Sequence, residues 1–183
     1  EYNPPPLRIA ELQIHTESNR RIPLIDDPVR AITLTMNQEA TTVEGDSEAD
    51  LLLDFVETLQ KMDPDLLLTG GGDAILFPHL AARARRHGLG KHLVLGRDNR
   101  PLLLRAGLHR RPPASYFSYG TIYPSRPGGV YLNGRLHLDT HAAFTYRDGR
   151  VAGAIEIARL TIVPLQRSSR LTIGRCMTSI QLY

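Results

Sequence analysis

Cysteine is nearly absent from this chain, with one, Cys176, among 183 residues. A single thiol makes no internal disulfide, so the fold is not a disulfide scaffold. Cys176 lies in an apolar helical pattern, which reads as a buried thiol in a reducing compartment, with the cytoplasm as the expected location. Long hydrophobic runs are missing too. Runs such as 51–53 and 66–68 are broken by acids or turn residues, and none approaches the roughly 18 residues a membrane helix needs, which argues against membrane insertion. Internal repeats and low-complexity tracts are absent, and the seven histidines show no metal-ligand spacing. No Ser-His-Asp or Cys-His arrangement can be built either, since Cys176 sits in an apolar stripe and no local sequence marks an activated serine.

What is present suits an ordinary globular domain: 42% hydrophobic residues, 22% charged, a net charge of +3 and a sequence pI near 9.2. Mild basicity permits nucleic-acid binding without establishing it. The start, "EYNPPP", reads as a linker over residues 1–6 from a preceding region. The end, "TSIQLY", lies inside a helical pattern without a stop signal. Both ends read as cuts, so a domain of a longer protein is expected.

Stretches 7–15 and 29–36 alternate as strands, and "RRIPLIDDP" between them supplies turn chemistry, which predicts an antiparallel pair. "SEAD" (47–50) has capping-box spacing, and Leu51, Leu52, Phe55, Val56, Leu59 and Met62 then recur at helical spacing. Pro64 ends that helix. "DLLLT" (65–69) reads as a buried strand, followed by "GGGD" and a second helix from about Pro78 to His87, with a basic last turn and Gly88 beyond it. "HLVLG" (92–96) reads as another strand. Residues 97–129 read as an extended excursion with one or two short strands. "GVYLNGRLHLD" (129–139) predicts a hairpin, because Asn133-Gly134 favours a type I′ turn. Helices are expected at about 145–162 and 165–183, separated at Pro164. The sum is an α/β domain with a mixed sheet.

Three stretches invite chemistry. "TGGGDA" (69–74) after a strand suggests an anion-binding loop, since bare amides at a helix start bind anions. It lacks the Gly-Lys-Ser/Thr ending of a phosphate loop and the spacing of a dinucleotide fold, so a tight strand-to-helix turn is the competing reading. In "HLDTH" (137–141), His137, Asp139 and His141 alternate and share a face, which suits either a metal or local hydrogen bonding. "ARARRHGLGK" (82–91) and "RAGLHRR" (105–111) are densely basic, with Tyr116, Phe117, Tyr119 and Tyr123 nearby. Cations interleaved with aromatics suit a single nucleic-acid strand, with phosphates on Arg85, Arg86, Arg110 and Arg111 and bases on Tyr116 and Tyr119. Solvated helix ends and core tyrosines are the alternative.

Read in order, these segments resemble the proofreading exonuclease domain of family B DNA polymerases. "PLRIAELQIHTES" and "DPVRAITL" look like its opening strands, where the family writes Asp-Ile-Glu-Thr. "DPDLLLTGGGDAILFPHLAARARRHGL" is similar to its second motif, Asn-Gly-Asp-x-Phe-Asp-x-Pro-Tyr-Leu. "LVLGRDN" and "GRLHLD" look like the family segments that follow. "FTYRDG" (144–149) resembles the third motif, Tyr-Ser-x-x-Asp-Ala. "ARLTIVPLQRSSRLTIGRCMTSIQLY" resembles the helices leading toward the polymerase palm. The resemblance covers nearly the whole chain and implies a ribonuclease H-like fold over 7–163, with 164–183 leading toward a palm domain. Residue by residue, it puts the first-motif Asp and Glu on Gln13 and His15, the second-motif Asp on Leu76, the third-motif Asp on Asp148 and its Tyr on Phe144.

The family's chemistry uses two metal ions held by carboxylates, because Mg²⁺ is a hard ion that prefers oxygen. Three of the four carboxylates are replaced here by Gln, His and Leu. The leading expectation is therefore a domain that has lost proofreading, needs no cofactor of its own, and supports a Mg²⁺-dependent polymerase while contacting single-stranded template or primer in DNA replication or repair. A rival is an exonuclease with a metal site rearranged onto Asp73, Asp139 and Asp148, with His15 admitting a softer ion. A stand-alone interaction module is the third reading.

Overall fold

Alternation sets the first strand. In the computed structural model, β1 (Ile9–Thr16) sends Ala10 and Leu12 into the core, with Ile14 packed against it, and turns Glu11, Gln13 and His15 to the opposite, open face. The structure describes residues 6–18, 24–102, 115–118, 121–124, 129–171 and 173–181. β2 (Val29–Met36) pairs antiparallel with β1, placing Thr33 opposite Gln13. The chain then reverses through Asn37 and Gln38, both at positive φ (53° and 70°), into β3 (Glu39–Val43). The sequence reading contains no strand there, because the turn has no glycine and four of the five β3 residues are exposed.

Helix α1 (Glu48–Met62) begins where the capping box predicts, with Ser47 Oγ accepting from the Asp50 amide at 3.2 Å. Its buried face carries Leu51, Leu52, Phe55 and Leu59. β4 (Leu66–Thr69) is buried along its length and runs parallel to β1. Gly71, at φ +76°, turns the chain into a π-helical turn (Gly72–Leu76) that leads directly into α2 (Phe77–Arg86). β5 (Ser115–Ser118) and β6 (Thr121–Pro124) form a separate antiparallel pair, in keeping with the short strands expected in that excursion. β7 (Leu136–Asp139) adds to the main sheet parallel to β4. Helices α3 (Tyr146–Thr161), α4 (Leu165–Ser168) and α5 (Ile173–Gln181) complete the described fold.

The main sheet has the order β3-β2-β1-β4-β7, antiparallel on one side of β1 and parallel on the other. The expected α/β class with a mixed sheet flanked by helices is what the structure shows. Two apolar layers hold it. On one face α1 and α2 pack Phe55, Leu59, Leu76, Phe77 and Leu80 against Leu12, Ile32, Leu34 and Leu67. On the other, Leu66, Leu68 and Leu138 meet Ala143, Ala154 and Leu165, so α3 and α4 cover only the β4–β7 end. Among the described residues nothing covers the rest of that face over β1 to β3. No helix among the described residues is long and apolar enough to cross a membrane.

Three sequence expectations need correction. Residues 92–96 are not a strand, because side chains claim the carbonyls a ladder would use: Gln60 donates to Val94 and Gly96 (3.0 and 2.9 Å), and the buried Arg135 donates to Leu95 at 2.7 Å. A turn forms at Asn133-Gly134, but not the expected type I′, since Gly134 is at φ +72° while Asn133 is not at positive φ, and only its second arm becomes a strand. In the first arm the Val130 amide donates to Asp73, and Asn133 O accepts from Arg97 N, while the second arm pairs with β4. The final helix is divided into α4 and α5, with Arg170 between them turned back to Asp73. The helix before it is also interrupted, at Arg150 (φ 50°, ψ −145°).

Candidate functional site

Asp139 organises the turn after β4. Its Oδ1 accepts from the Gly71 and His141 amides at 2.9 and 3.0 Å, and its Oδ2 from the Asp73 amide at 3.0 Å. Two of the loop's amide donors, those of Gly71 and Asp73, are therefore already filled by an internal carboxylate. This favours the tight-turn reading of "TGGGDA" over the anion cradle.

Asp73 sits in that turn, 3% exposed, and faces a cation. Arg170 makes a two-pronged pair with it, Nε to Oδ2 at 2.7 Å and Nη2 to Oδ1 at 2.9 Å, and the Val130 amide adds a third bond at 2.7 Å. Alongside lies His137, fully buried. Its Nε2 is 2.8 Å from Thr69 Oγ1, its Nδ1 is 3.0 Å from Val130 O, and its ring meets Phe77 edge-on. Burial outweighs the pull of Asp73 and holds the His137 pKa below its ordinary value, which favours the neutral ring. His137 and Asp139 share a face as alternation requires, and both are hydrogen-bonded locally.

The positions assigned by resemblance are spread over both sides of the sheet. Gln13 and His15 lie on the open face, where Gln13 donates to Glu11 (3.0 Å) and His15 pairs with Thr33 Oγ1 (3.0 Å). Asp148, in the first turn of α3, is exposed on the same side, and Phe144 is half-buried ahead of it. Leu76 is 4% exposed and packs in the apolar layer on the other side. The rival set does not gather: Asp73 is paired with Arg170, Asp139 caps the turn, and Asp148 faces solvent. Among the described residues no three His, Cys, Asp or Glu side chains come together in a way that could hold a metal.

Of the nucleic-acid candidates, Arg85 and Arg86 are exposed at the end of α2, beside exposed Lys91 and His92. Arg86 reaches Asp26 at 3.6 Å across the surface. Arg83, one turn back, is instead committed to the core, paired with Glu48 at 2.5 Å. Tyr116 lies in β5 opposite Tyr123, with its side chain outside the described residues, as are Arg110, Arg111 and Tyr119. Thr69 and Arg170, which complete the buried network, were missed by sequence reasoning. Thr69 opens "TGGGDA" and Arg170 lies in the final helical stretch, but no local signal joins residues 101 positions apart.

No protein-family profile matches the chain. It is 30% identical over 81 residues to a DNA polymerase of Archaeoglobus fulgidus, a match covering 44% of this chain and 10% of that protein. It is 38% identical over 93 residues to a DNA polymerase of Thermococcus litoralis, covering 51% of this chain and 4% of that protein. The chain therefore matches a tenth or less of the length of these relatives. The family B DNA polymerase of Pyrobaculum calidifontis shares the fold, with a TM-score of 0.68 at 17% identity over the whole of this chain and 29% of that one.

Proposed function

We propose that the chain is the exonuclease-like domain of a family B DNA-directed DNA polymerase, ribonuclease H-like in fold, in which proofreading has been lost and a structural, DNA-contacting role in replication or repair retained. Likeness to archaeal DNA polymerases in both sequence and fold supports the placement. The observation that carries the loss of chemistry is the set of side chains at the aligned positions. Gln13 offers a neutral oxygen, His15 a nitrogen that Mg²⁺ disfavours, and Leu76 nothing, and Leu76 is packed on the far side of the sheet from the other two. Asp148 alone does not supply the negative charge that a pair of divalent ions requires, so these residues do not fit the metals the resemblance implies. Mg²⁺ would belong to the polymerase site of the parent chain, whose palm domain would follow α5. The exposed end of α2, with Arg85 and Arg86, is the phosphate-contacting surface in this reading. The expected compartment is the cytoplasm, where a lone buried thiol stays reduced.

The test pairs a cleavage assay with a binding assay. The chain should leave labelled single-stranded DNA intact with Mg²⁺ or Mn²⁺, while fluorescence anisotropy shows salt-sensitive binding that Arg85→Ala/Arg86→Ala weakens. Metal-dependent degradation abolished by Asp148→Ala would refute the loss of proofreading. Binding unchanged in the double variant would refute the assigned surface.

A further inference from the structure

Arg170 joins α4 to α5 and turns its guanidinium inward. Besides the two bonds to Asp73, Nη2 reaches Val130 O at 3.1 Å and Nη1 donates to Gln166 O. The Arg170 and Asp73 side chains are 10% and 3% exposed. The guanidinium is enclosed from two further directions. Gly129 passes so close that a Cβ there would fall 2.3 Å from Nε, and the Tyr131 ring centre lies 5.0 Å from Cζ. In α4, Gln166 Oε1 accepts from the His137 amide of β7 at 3.0 Å.

Among the described side chains of the same segment, Leu165 packs against the smaller apolar layer and Cys176 is buried, while Met177 is 52% exposed. A surface segment that depends on a buried ion pair opens more readily than the sheet beneath it. Once the pair is broken, a carboxylate is left buried without its cation, so a half-open state is disfavoured.

We infer that α4 and α5 form a strap closed by an ionic latch, Arg170 on Asp73, which opens as a unit while the sheet stays folded. Asp73 lies in the turn between β4 and α2, so the strap and that turn share one two-state element: whatever moves α5 changes the charge balance at the turn, and the reverse.

Cys176, the single cysteine of the chain and 2% exposed on α5, reports the strap directly. Its modification by a thiol-reactive dye under native conditions is read against circular dichroism of the fold. Arg170→Ala and Asp73→Asn should each label at least tenfold faster than wild type, at a rate nearly flat in low urea, and Gly129→Ala should move the same way. Leu59→Ala, in α1, destabilises the main core and supplies the contrast, since any labelling it adds should climb steeply with urea. Latch variants that label at the wild-type rate, or that accelerate only with the steep urea dependence of Leu59→Ala, overturn the inference. Should Arg170→Ala not fold, Arg170→Lys carries the test, because an ammonium keeps the charge without the two-pronged pair.

Discussion

Replacing Glu48 by Gln tests whether the first helix is fastened by charge. Glu48 opens α1 and is almost enclosed, with 9% of its side chain exposed. Its Oε1 accepts from the Val29 amide (2.8 Å) and Arg83 Nε (2.8 Å), and its Oε2 from Arg83 Nη2 (2.5 Å), with His87 Nε2 at 2.7 Å. Burial by itself would raise the carboxyl pKa. The Arg83 bonds, the Val29 amide and His87 together overcome it and hold the group at about 2 against an ordinary 4.5. At roughly 1.4 kcal/mol per pH unit, that difference corresponds to about 3 kcal/mol of stability. This agrees with the roughly 3–5 kcal/mol expected when one partner of a buried pair is removed.

Glu48→Gln should therefore unfold about 6–12 °C below wild type at pH 7, given the roughly 2–4 °C per kcal/mol typical of this size. The sign with pH follows from a depressed carboxyl. Its contribution is complete above the ordinary carboxylate value near 4.5 and fades as pH falls toward about 2. The gap between wild type and variant should thus be widest above pH 5 and close in acid. Thermal unfolding by circular dichroism from pH 2 to 7 measures both, and the double variant with Arg83→Met separates the pair from the amide bond. A melting point within 2 °C of wild type at pH 7, or a gap independent of pH, would refute the reasoning.

Two further outcomes are expected. His79 is 2% exposed in α2, and burial pushes its pKa below the ordinary 6.5, so stability present above that value is lost as pH falls through it. His79→Leu should flatten the dependence of the urea midpoint on pH between 7.5 and 5.5, and an unchanged slope would count against it. The guanidinium of Arg135 is fully buried and joins Pro64 O (2.9 Å), Leu95 O (2.7 Å) and Asp63 Oδ1 (3.2 Å). Arg135→Lys cannot span all three and should lose about 2–4 kcal/mol by urea titration; a loss under about 0.5 kcal/mol would show that these contacts contribute little.

What the sequence made legible was whatever depends on neighbours along the chain. The alternation in β1, the Ser47 cap, the buried run of β4 and the reversal at Gly88 each rest on local rules, and each appears in the structure. The two strands expected but not formed share one cause. At 92–96, and in the first arm of the 129–139 stretch, a strand pattern is present but distant side chains, Gln60, Arg135, Asp73 and Arg170, have taken the backbone groups that a ladder would use. No local pattern announces an arginine that will reach 97 positions back along the chain. The same holds for the polar network around the turn, of which only the alternation of His137 and Asp139 was visible beforehand.

That network leaves little room for a metal beside the turn. A carboxylate kept for a metal needs free lone pairs directed at a common point, and each buried carboxylate near the turn already accepts three hydrogen bonds. Asp139 spends its oxygens on three amides, and Asp73 on a guanidinium and an amide. Both have structural work that a metal would disrupt, since an ion placed between them would have to displace either the turn's backbone bonds or Arg170. Leu76 points to the same conclusion from the apolar side. In a layer shared with Phe77 and Leu80 a carboxylate would be buried without a partner, whereas a leucine adds to the packing. The hydrogen bonds and packing around the turn are thus satisfied by the chain's own groups, which is the physical condition that the proposed loss of proofreading requires.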